Sequence, residues 1–451
     1  MKKTAMRFLS LALLAAICLT GCGKTASSVS QQATSQPTTA TEKTKIVFWT
    51  NQRHDMEYLE AKIKEFNDTN DKNIEVTCEI MTDNYDNNLE LSYQSNQAPD
   101  VFRAKSEIVP YIKKDMIIPI DEFLTEEDKA RFGDTLGIQN INMYEDKLYS
   151  LPAFGNNFRL IYNKDVFAAA GLDPEAPPTT MEEVREYAKI ITEKLSNQGV
   201  YGFAMNLKGA YSSMYRSVDE VARLSDMFYY DYKEGKYNFN EYAKVVQNFA
   251  DIYADGSFFP GAESLDIDPL RTQFALGKIG MYMSGYWEVA VYNSQFPTEQ
   301  EWAACQLPTY DGVVDGVNTM NSAGRSYVIS NQCKNPEAAW ELIKFLTSDD
   351  YMVGYQAGGY GNIVVPSVAK IAKPSEIYGS SFFTLSDTDS IEPLAPEMAG
   401  LTIEGKTFYE EYAAVIFGEA DLNDVTERVT KTYNDALEAA ISSGSMQPIL
   451  K

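Results

Sequence analysis

The chain has 451 residues, and its 64 acidic against 39 basic side chains give a formal charge of −25 at pH 7. This balance excludes the basic footprint that a nucleic-acid-binding protein needs, so we expect no nucleic-acid partner. Hydrophobic residues form 44% of the chain and aromatic residues 12%, which is enough for a packed core, and the length favours two lobes over one domain.

Residues that move protons or hold metals are scarce. The single histidine, His54, lies in a polar stretch before a predicted helix, where we expect it to be exposed or to cap that helix. The sequence has no G-x-S-x-G, H-E-x-x-H or C-x-x-C motif and no phosphate-binding glycine loop. We therefore predict no metal, no cofactor and no catalytic residues. A glycosidase remains an alternative, because it needs only two carboxylates.

The N-terminal residues have the pattern of an export signal. Basic residues at positions 2, 3 and 7 precede an apolar run over 8–19, which is shorter than the ~20 residues that a membrane-spanning helix needs. The LTGC sequence at 19–22 matches a bacterial lipobox, although a chance cysteine after an ordinary signal is the alternative. We predict removal of 1–21, lipidation of Cys22, and a disordered tether within 22–43.

Strands and helices alternate after this tether. Residues 45–49 and 73–80 predict strands, and apolar residues at 56, 59, 63 and 66 predict an amphipathic helix between them. A helix near 85–93 and a short strand at 100–102 follow. This order implies parallel pairing in an α/β sheet, in which ligands gather at the carboxyl ends of the strands.

Helices dominate farther along the chain. We predict helices after Thr180, which acidic residues follow, and after Asn335-Pro336, where Asn should cap and Pro should fill the first turn. Further helices are predicted at 242–254 and 423–442. Trp340 is expected in the core, and the three cysteines beyond the tether, which match no metal site, are expected to be unpaired and buried.

Ordered motifs over 44–451 resemble extracellular solute-binding protein family 1, which includes the maltose-binding protein. In chain order they are KIVFW at 45–49, APDV at 98–101, IIPID at 117–121, KLYSLP at 147–152, LIYNKDVF at 160–167, FALGKIGM at 274–281 and GYW at 285–287. The resemblance implies an α/β, two-lobe, type II periplasmic-binding-protein-like fold. Each lobe would be a mixed, mainly parallel sheet flanked by helices, with the ligand cleft between the lobes. It places the lobes at 44–154 plus 304–365 and at 155–303 plus 366–451.

The resemblance also implies a function. The family captures a solute and delivers it to the permease subunits of an ABC importer in the membrane, without chemistry. For this chain it implies a monomeric receptor for a sugar or oligosaccharide, anchored through Cys22 on the extracellular face of the cell membrane. Two alternatives stay open: a lipid-anchored glycoside hydrolase, and a receptor for a non-sugar solute such as a polyamine or peptide.

Ligand-contacting positions follow from the family motifs. A sugar has an apolar ring face and a rim of hydroxyls, so its site combines aromatic rings with amide or charged groups. For Trp49 core packing is an open alternative, and for Arg103 and Glu107 surface charge is. Arg103 and Ala104 stand where the maltose-binding protein has aromatic residues, which departs from a maltodextrin site. Phe408 and Tyr409 could add a further platform. The candidate ligand contacts are Trp49, Asn51, Arg103, Glu107, Phe154, Asn156, Asn157, Tyr286, Trp287, Asn321, Gly324, Arg325 and Tyr360.

Overall fold

The computed structural model describes residues 42–81, 84–104, 108–320, 327–391, 395–396 and 399–450. The predicted signal, Cys22 and nearly all of the tether lie outside these residues. Among the residues described, no helix is long and apolar enough to cross a membrane. The strands are β1 Thr44–Thr50, β2 Ile74–Ile80, β3 Val101–Arg103, β4 Met143–Tyr144, β5 Lys147–Leu148, β6 Phe154–Gly155, β7 Phe158–Asn163, β8 Tyr201–Phe203, β9 Tyr230–Asp231, β10 Lys236–Tyr237, β11 Ile279–Gly285, β12 Trp302–Cys305, β13 Asn318–Thr319, β14 Tyr327–Ile329, β15 Asn362–Ile363 and β16 Asp389–Ser390.

Helices surround these strands, and two of them widen into π-helical turns at Tyr215–Asp219 and Val291–Gln295. The α-helices are α1 Met56–Thr69, α2 Tyr85–Gln94, α3 Ile108–Lys113, α4 Glu126–Phe132, α5 Lys164–Ala170, α6 Met181–Leu195, α7 Ala210–Met214, α8 Glu220–Leu224, α9 Asn240–Ala254, α10 Ile267–Ala275, α11 Glu288–Ala290, α12 Pro336–Leu346, α13 Asp349–Ala357, α14 Pro366–Ala369, α15 Phe408–Ile416 and α16 Leu422–Ser442.

The first sheet contains four strands in the order β14-β3-β1-β2. β1 pairs in parallel with both β2 and β3, which confirms the predicted parallel α/β arrangement, and β14 closes the edge in the antiparallel direction. The helix α1 covers this sheet with the buried side chains of Leu59, Ile63 and Phe66. Met56, expected on the same face, is 40% exposed because it begins the helix.

The second sheet has the order β12-β7-β11-β8 and corrects one expectation. Only β11 and β8 pair in parallel, whereas β7 is antiparallel to both β11 and β12. The mainly parallel character expected of both sheets therefore holds only for the first. The reason is that β7 begins at the crossing segment and runs away from that segment, while β8, β11 and β12 run toward the crossing segment. Phe158 at the start of β7 thus lies opposite Gly285 at the end of β11.

The helices predicted after position 180 are present, with one difference at a cap. Thr180 accepts a hydrogen bond from the backbone N–H of Glu183, whose carboxylate in turn accepts from the Thr180 backbone, so a capping box begins α6. Asn335 makes no side-chain capping bond, and Pro336 in the first turn is the only predicted start signal that operates in α12. The helix α16 begins at its cap, Asp421, close to the predicted start.

The cores contain several residues whose role the sequence left open. Trp340 is 6% exposed and stacks on Phe123 with ring centroids 5.8 Å apart, which confirms its packing role. Phe408 and Tyr409, suggested as a ligand platform, are 0% and 4% exposed inside the core of the second sheet. That suggestion is wrong, because α15 packs between α9 and α16 and turns both rings inward. The three cysteines of the described chain are unpaired but only partly buried.

A buried polar network fixes the segments that cross between the two sheets. β6 pairs with β15 at the crossing. Arg159 donates to Asp389 through two nitrogens, at 3.0 and 2.7 Å, and both side chains are almost fully buried. Asn157 and Asn318 also donate to this carboxylate, at 3.0 and 2.9 Å. Burial alone would raise the pKa of Asp389, but the Arg159 guanidinium outweighs it and holds that pKa below its usual value.

The substitution Asp389→Asn should destabilise the protein strongly. It leaves the buried Arg159 without a counter-ion, and removing one partner of a buried ion pair costs about 3–5 kcal/mol. Urea unfolding measures this loss. Asp387→Asn, which removes the same charge from an exposed position two residues earlier, is the matched control and should unfold like the unsubstituted protein. Equal stability of the two variants would contradict the role assigned to Asp389.

Candidate functional site

The carboxyl ends of strands from both sheets face each other across a region that we call the cleft. On the first-sheet side it is bounded by β1, β3 and residues 51–54. On the second-sheet side it is bounded by Lys208 and residues 260–269, and the Arg271–Glu288 pair lies next to Asp268. Contact across it is direct: the Arg53 guanidinium pairs with the Asp268 carboxylate, and the Gln295 side chain donates to the Arg53 carbonyl oxygen at 2.8 Å.

Part of the cleft opens as a cavity of about 670 Å³. Asn51 and Arg53 form the first-sheet side, and residues around α10 form the other. Such a volume suits a small organic ligand, since typical ligand sites measure ~300–1,000 Å³. The lining on the second-sheet side is largely polar and consists of Lys208, Pro260, Gly261, Ser264, Leu265, Asp266, Ile267, Asp268 and Pro269.

A single buried carboxylate organises the second-sheet side. Glu288 is 0% exposed and follows the end of β11. Its oxygens accept hydrogen bonds from Arg271 at 2.8 and 3.0 Å, from Ser284 Oγ at 2.8 Å and from Trp287 Nε1 at 2.9 Å. Arg271 Nη1 also reaches Asp268 Oδ1 at 3.2 Å. Polar contacts therefore continue from the Trp287 indole to Asp268, which pairs with Arg53 across the cleft.

Aromatic rings lie beside this network. Trp287 and Tyr215 both meet Phe158 edge-on, with ring centroids 5.8 and 5.6 Å away. Tyr211, one turn before Tyr215, stacks on it at 5.7 Å and is 49% exposed. A Cβ atom on Gly285 would lie 2.6 Å from the Trp287 ring, so only glycine lets the indole lie over the end of β11. The second-sheet side thus offers partly exposed rings held in fixed orientations.

Unmatched polar atoms occur on the first-sheet side and at the crossing. Trp49 Nε1, Asn51 Oδ1 and Asn156 Oδ1 are buried and make no hydrogen bond to any residue that the structure describes. Buried polar atoms are normally paired, because an unpaired one costs about 1–3 kcal/mol. Asn156 also faces the space that a Cβ on Gly361 would fill, at 3.2 Å. These atoms fit a site whose partners come from a bound molecule.

Three further candidate ligand contacts are engaged within the protein itself. Phe154 is 5% exposed and stacks on Tyr355 at 3.9 Å, and Tyr286 is 2% exposed against Phe383. Both rings pack in the cores. The Asn157 amide is satisfied within the crossing network, where it donates to Phe383 O and Asp389 and accepts from Asn362.

Two other candidates lie on the first-sheet side. Arg103 ends β3 and is 7% exposed. Tyr360 is partly buried and lies 5.4 Å from the Tyr355 ring. Glu107, Asn321, Gly324 and Arg325 lie outside the described residues, so their predicted roles stay predictions.

Comparison with known proteins decides the family. Residues 50–353 match the model of the bacterial extracellular solute-binding proteins. The chain belongs to this family. A putative binding protein of Brucella abortus is 23% identical over 54% of this chain, and the galactooligosaccharide-binding protein of Bacillus subtilis is 27% identical over 46%. The chain spans about half the length of these two relatives, 57% and 47%.

A solved structure shares the fold of this solute-binding protein over nearly its whole length. The ABC transporter solute-binding protein of Thermotoga lettingae, bound with α-D-tagatose, superimposes with a TM-score of 0.72 at 20% identity. The match covers 87% of this chain and 100% of that structure. The fold is the two-lobe type II solute-binding fold, and each four-stranded sheet belongs to one lobe.

The surroundings of His54 in this solute-binding protein differ from the prediction that it is exposed or caps α1. It is partly buried, and its Nε2 lies 3.3 Å from the Tyr355 hydroxyl. The N-cap position of α1 is occupied by Asp55, whose side chain makes no capping hydrogen bond. Burial lowers the pKa of His54, and the charges of Arg103 and Arg271 act in the same direction while Asp55 opposes them. The burial of His54 could not be predicted from its position before a helix, because the residues around it belong to α13 and to the other lobe.

Sequence reasoning missed the residues that hold Trp287. Glu288 and Arg271 are 17 residues apart and have no motif of their own, yet together they fix the indole. A signal for Tyr211 and Tyr215 was present, since two tyrosines four residues apart lie on one face of a helix. The π-helical turn that begins at Tyr215 is a feature often found at functional sites.

The turn that carries Tyr215 is anchored by a buried acid. Asp219 is 0% exposed and accepts hydrogen bonds from the Tyr242 and Tyr409 hydroxyls, both at 2.7 Å. Burial raises the pKa of Asp219 to about 8 and that of the neighbouring Glu220 to about 7. The folded state therefore binds these protons more tightly than the unfolded chain does.

Stability should fall as the pH rises through the range that Asp219 controls. A raised folded-state pKa gives stabilisation that is complete below the unfolded value, about 4, and lost as the pH passes about 8. Asp219→Asn should flatten the decline of melting temperature over this range, although Glu220 will retain part of it. Asp226→Asn, at an exposed position on the same chain segment, should keep the full decline. An identical decline in the Asp219→Asn variant would contradict this assignment.

Proposed function

We propose that this solute-binding protein is the extracellular receptor of an ABC importer and that it captures a sugar or short oligosaccharide in the cleft. The observation that carries the proposal is the Trp287 indole, which Glu288 and Gly285 hold at the end of β11 beside the polar cleft. An aromatic face for the sugar ring, next to donors and acceptors for its hydroxyls, is the combination that carbohydrate binding needs.

Two relatives support a carbohydrate ligand. The Bacillus subtilis relative is a galactooligosaccharide-binding protein, and the Thermotoga lettingae protein was solved with bound α-D-tagatose. On this chain we assign the ring platform to Trp287, with Tyr215 and Tyr211 beside it. Trp49, Asn51, Asn156, Arg103 and Tyr360 are the proposed contacts from the first lobe and the crossing. Phe154, Tyr286 and Asn157 are assigned to packing and to the crossing network instead.

Strand pairing supports a proposal for the lobe boundaries. The strand β12 pairs in the second sheet, β13 pairs with β16, and β14 pairs in the first sheet, so we place the return to the first lobe between Thr319 and Tyr327, where the sequence analysis placed it at 304. Near the end, Ala372 still packs in the first core, while the Tyr378 hydroxyl donates to Trp302 O in the second. We therefore propose lobes of 44–154 plus 327–375 and of 155–320 plus 376–450.

We further propose that the protein acts without catalysis and as a monomer tethered to the membrane. Closure of the lobes on the sugar would present one joined surface to the permease subunits. The tether after Cys22 would let that surface reach the permease. The acidic charge of −25 fits this arrangement, because it keeps the folded part away from anionic lipid headgroups.

Trp287→Ala should weaken sugar binding by about 10-fold or more, because the ring platform is lost. Residues 43–451, which form one compact unit, are first screened against mono- and oligosaccharides, polyamines and peptides by thermal unfolding. Calorimetry with the stabilising sugar then compares Trp287→Ala with Tyr310→Ala, an exposed aromatic substitution outside the cleft. Recovery of the sugar in cleaved form, or unchanged affinity in Trp287→Ala, would refute the proposal.

Cys22→Ser tests the anchor separately. The variant should be exported and released from the membrane fraction, because the acyl chains attach to the Cys22 sulfur. Immunoblots of membrane and soluble fractions report the distribution. Retention of the variant in the membrane fraction would contradict lipidation at this residue.

A further inference from the structure

Arg216 is a buried cation of the second lobe near Arg271 and Glu288, and within the described chain both of its hydrogen bonds go to neutral side chains. It is 5% exposed and lies in the π-helical turn directly after Tyr215. Its Nη1 donates to Ser212 Oγ at 3.2 Å, and its Nη2 donates to Asn206 Oδ1. Its Nε is buried and has no hydrogen-bond partner within the described chain. A guanidinium carries five N–H donors, and the described residues accept from only two of its three nitrogens.

Leaving such a group uncompensated is costly. A buried charge normally has a partner of opposite sign, because transfer from water to the protein interior is otherwise strongly unfavourable. Burial lowers the pKa of Arg216 to about 10, and Arg271 acts in the same direction, while the nearby Glu288 opposes them. Arg216 therefore remains a cation at neutral pH. The carboxylate of Glu288 is occupied by Arg271, Ser284 and Trp287 and makes no ion pair with it.

The charges around the cleft leave a local positive excess. On the second-lobe side and across to Arg53 there are four cations, Arg53, Lys208, Arg216 and Arg271, and three carboxylates, Asp266, Asp268 and Glu288. Arg103 and Asp55, which both act on His54, add one charge of each sign. This excess is notable in a chain whose net charge is −25, and it is concentrated beside the aromatic rings.

We infer that the sugar carries an anionic group, a carboxylate or a phosphate, and that Arg216 receives it. The inference rests on the proposed function and narrows it to an acidic carbohydrate. Tyr215 and Tyr211 lie on the same helical segment as Arg216, and Trp287 lies beside them through Phe158. A sugar ring on these aromatic faces would place its acidic substituent against the guanidinium. Charge-assisted hydrogen bonds to such a group are the strong kind, and guanidinium geometry matches them.

Matched sugars test this inference by calorimetry on the full exported protein. One set is galactose, galacturonate and galactose phosphate, a second set is the same three forms of glucose, and the two-ring pair is galactobiose and digalacturonate. We expect an acidic member to bind at least about 10-fold more tightly than its neutral counterpart. The preferred acidic member identifies the group as a carboxylate or a phosphate. Inorganic phosphate, tested alone, should not bind comparably.

Variants show whether Arg216 causes the preference. Arg216→Gln keeps a side chain able to donate to Asn206 and should remove the preference for the acidic member, with little effect on the neutral one. Arg216→Lys should retain part of it. Arg428→Gln, which removes an exposed cation on α16, is the matched control and should leave both affinities unchanged. Thermal unfolding without ligand confirms that each variant folds.

The inference and the proposed function fail in different ways. Tight binding of a neutral sugar over its acidic counterpart, or a preference that survives in Arg216→Gln, would overturn the inference alone. Inorganic phosphate binding as tightly as a sugar phosphate would also overturn it, because the sugar ring would then contribute nothing. Binding of polyamines or peptides and of no sugar would overturn both.

Discussion

The buried carboxylate of Glu288 is the constraint on which the cleft depends. It receives hydrogen bonds from α10, from β11 and from the adjacent indole, so one charged group fixes the ring platform and neutralises Arg271 at the same time. Because it is fully buried, its contacts are not weakened by water, and the indole loses little freedom when a ligand arrives. The same occupation leaves Arg216 without a carboxylate partner among the described residues, so a structural ion pair and the cation that we propose for ligand binding lie within one small region.

A second buried ion pair sets the relation between the lobes. Asp389 joins Arg159 and Asn157, from one segment, to Asn318, from another, at the place where the backbone crosses between the sheets. When such a binding protein closes on its ligand, the lobes rotate while the crossing segments keep their own structure. The direct pairing of Arg53 with Asp268 lies at the far side of the cleft and is partly exposed, so it can break and form at small cost in water.

The fold was largely predictable from local patterns, whereas the cleft was predictable only in part. Local residue patterns identified β1, α1, β2 and α6, because the residues that each element buries follow a regular spacing along the sequence. The position of Trp287 at the end of a strand follows from its motif, and its contact with ligand stays a proposal. Its support could not be predicted, because no pattern shows that the adjacent Glu288 accepts from the indole or that Arg271 pairs with Glu288. The direction of β7 was missed for the same reason: pairing depends on where the chain crosses between lobes, and apolar periodicity is identical for parallel and antiparallel neighbours.

A crystal structure of the protein with the sugar that stabilises it most tests the central claim directly, because the claim concerns one position in the cleft. The account predicts clear density for the sugar between the lobes, with a ring face on the Trp287 indole and polar groups toward Asn51, Asn156 or Arg216. Density for the sugar elsewhere would contradict it, for instance in the separate cavity of about 680 Å³ that Arg223, Phe228 and Tyr230 help to line on the second lobe. The Trp287 indole and Glu288 would then be features of the fold and not of a binding site.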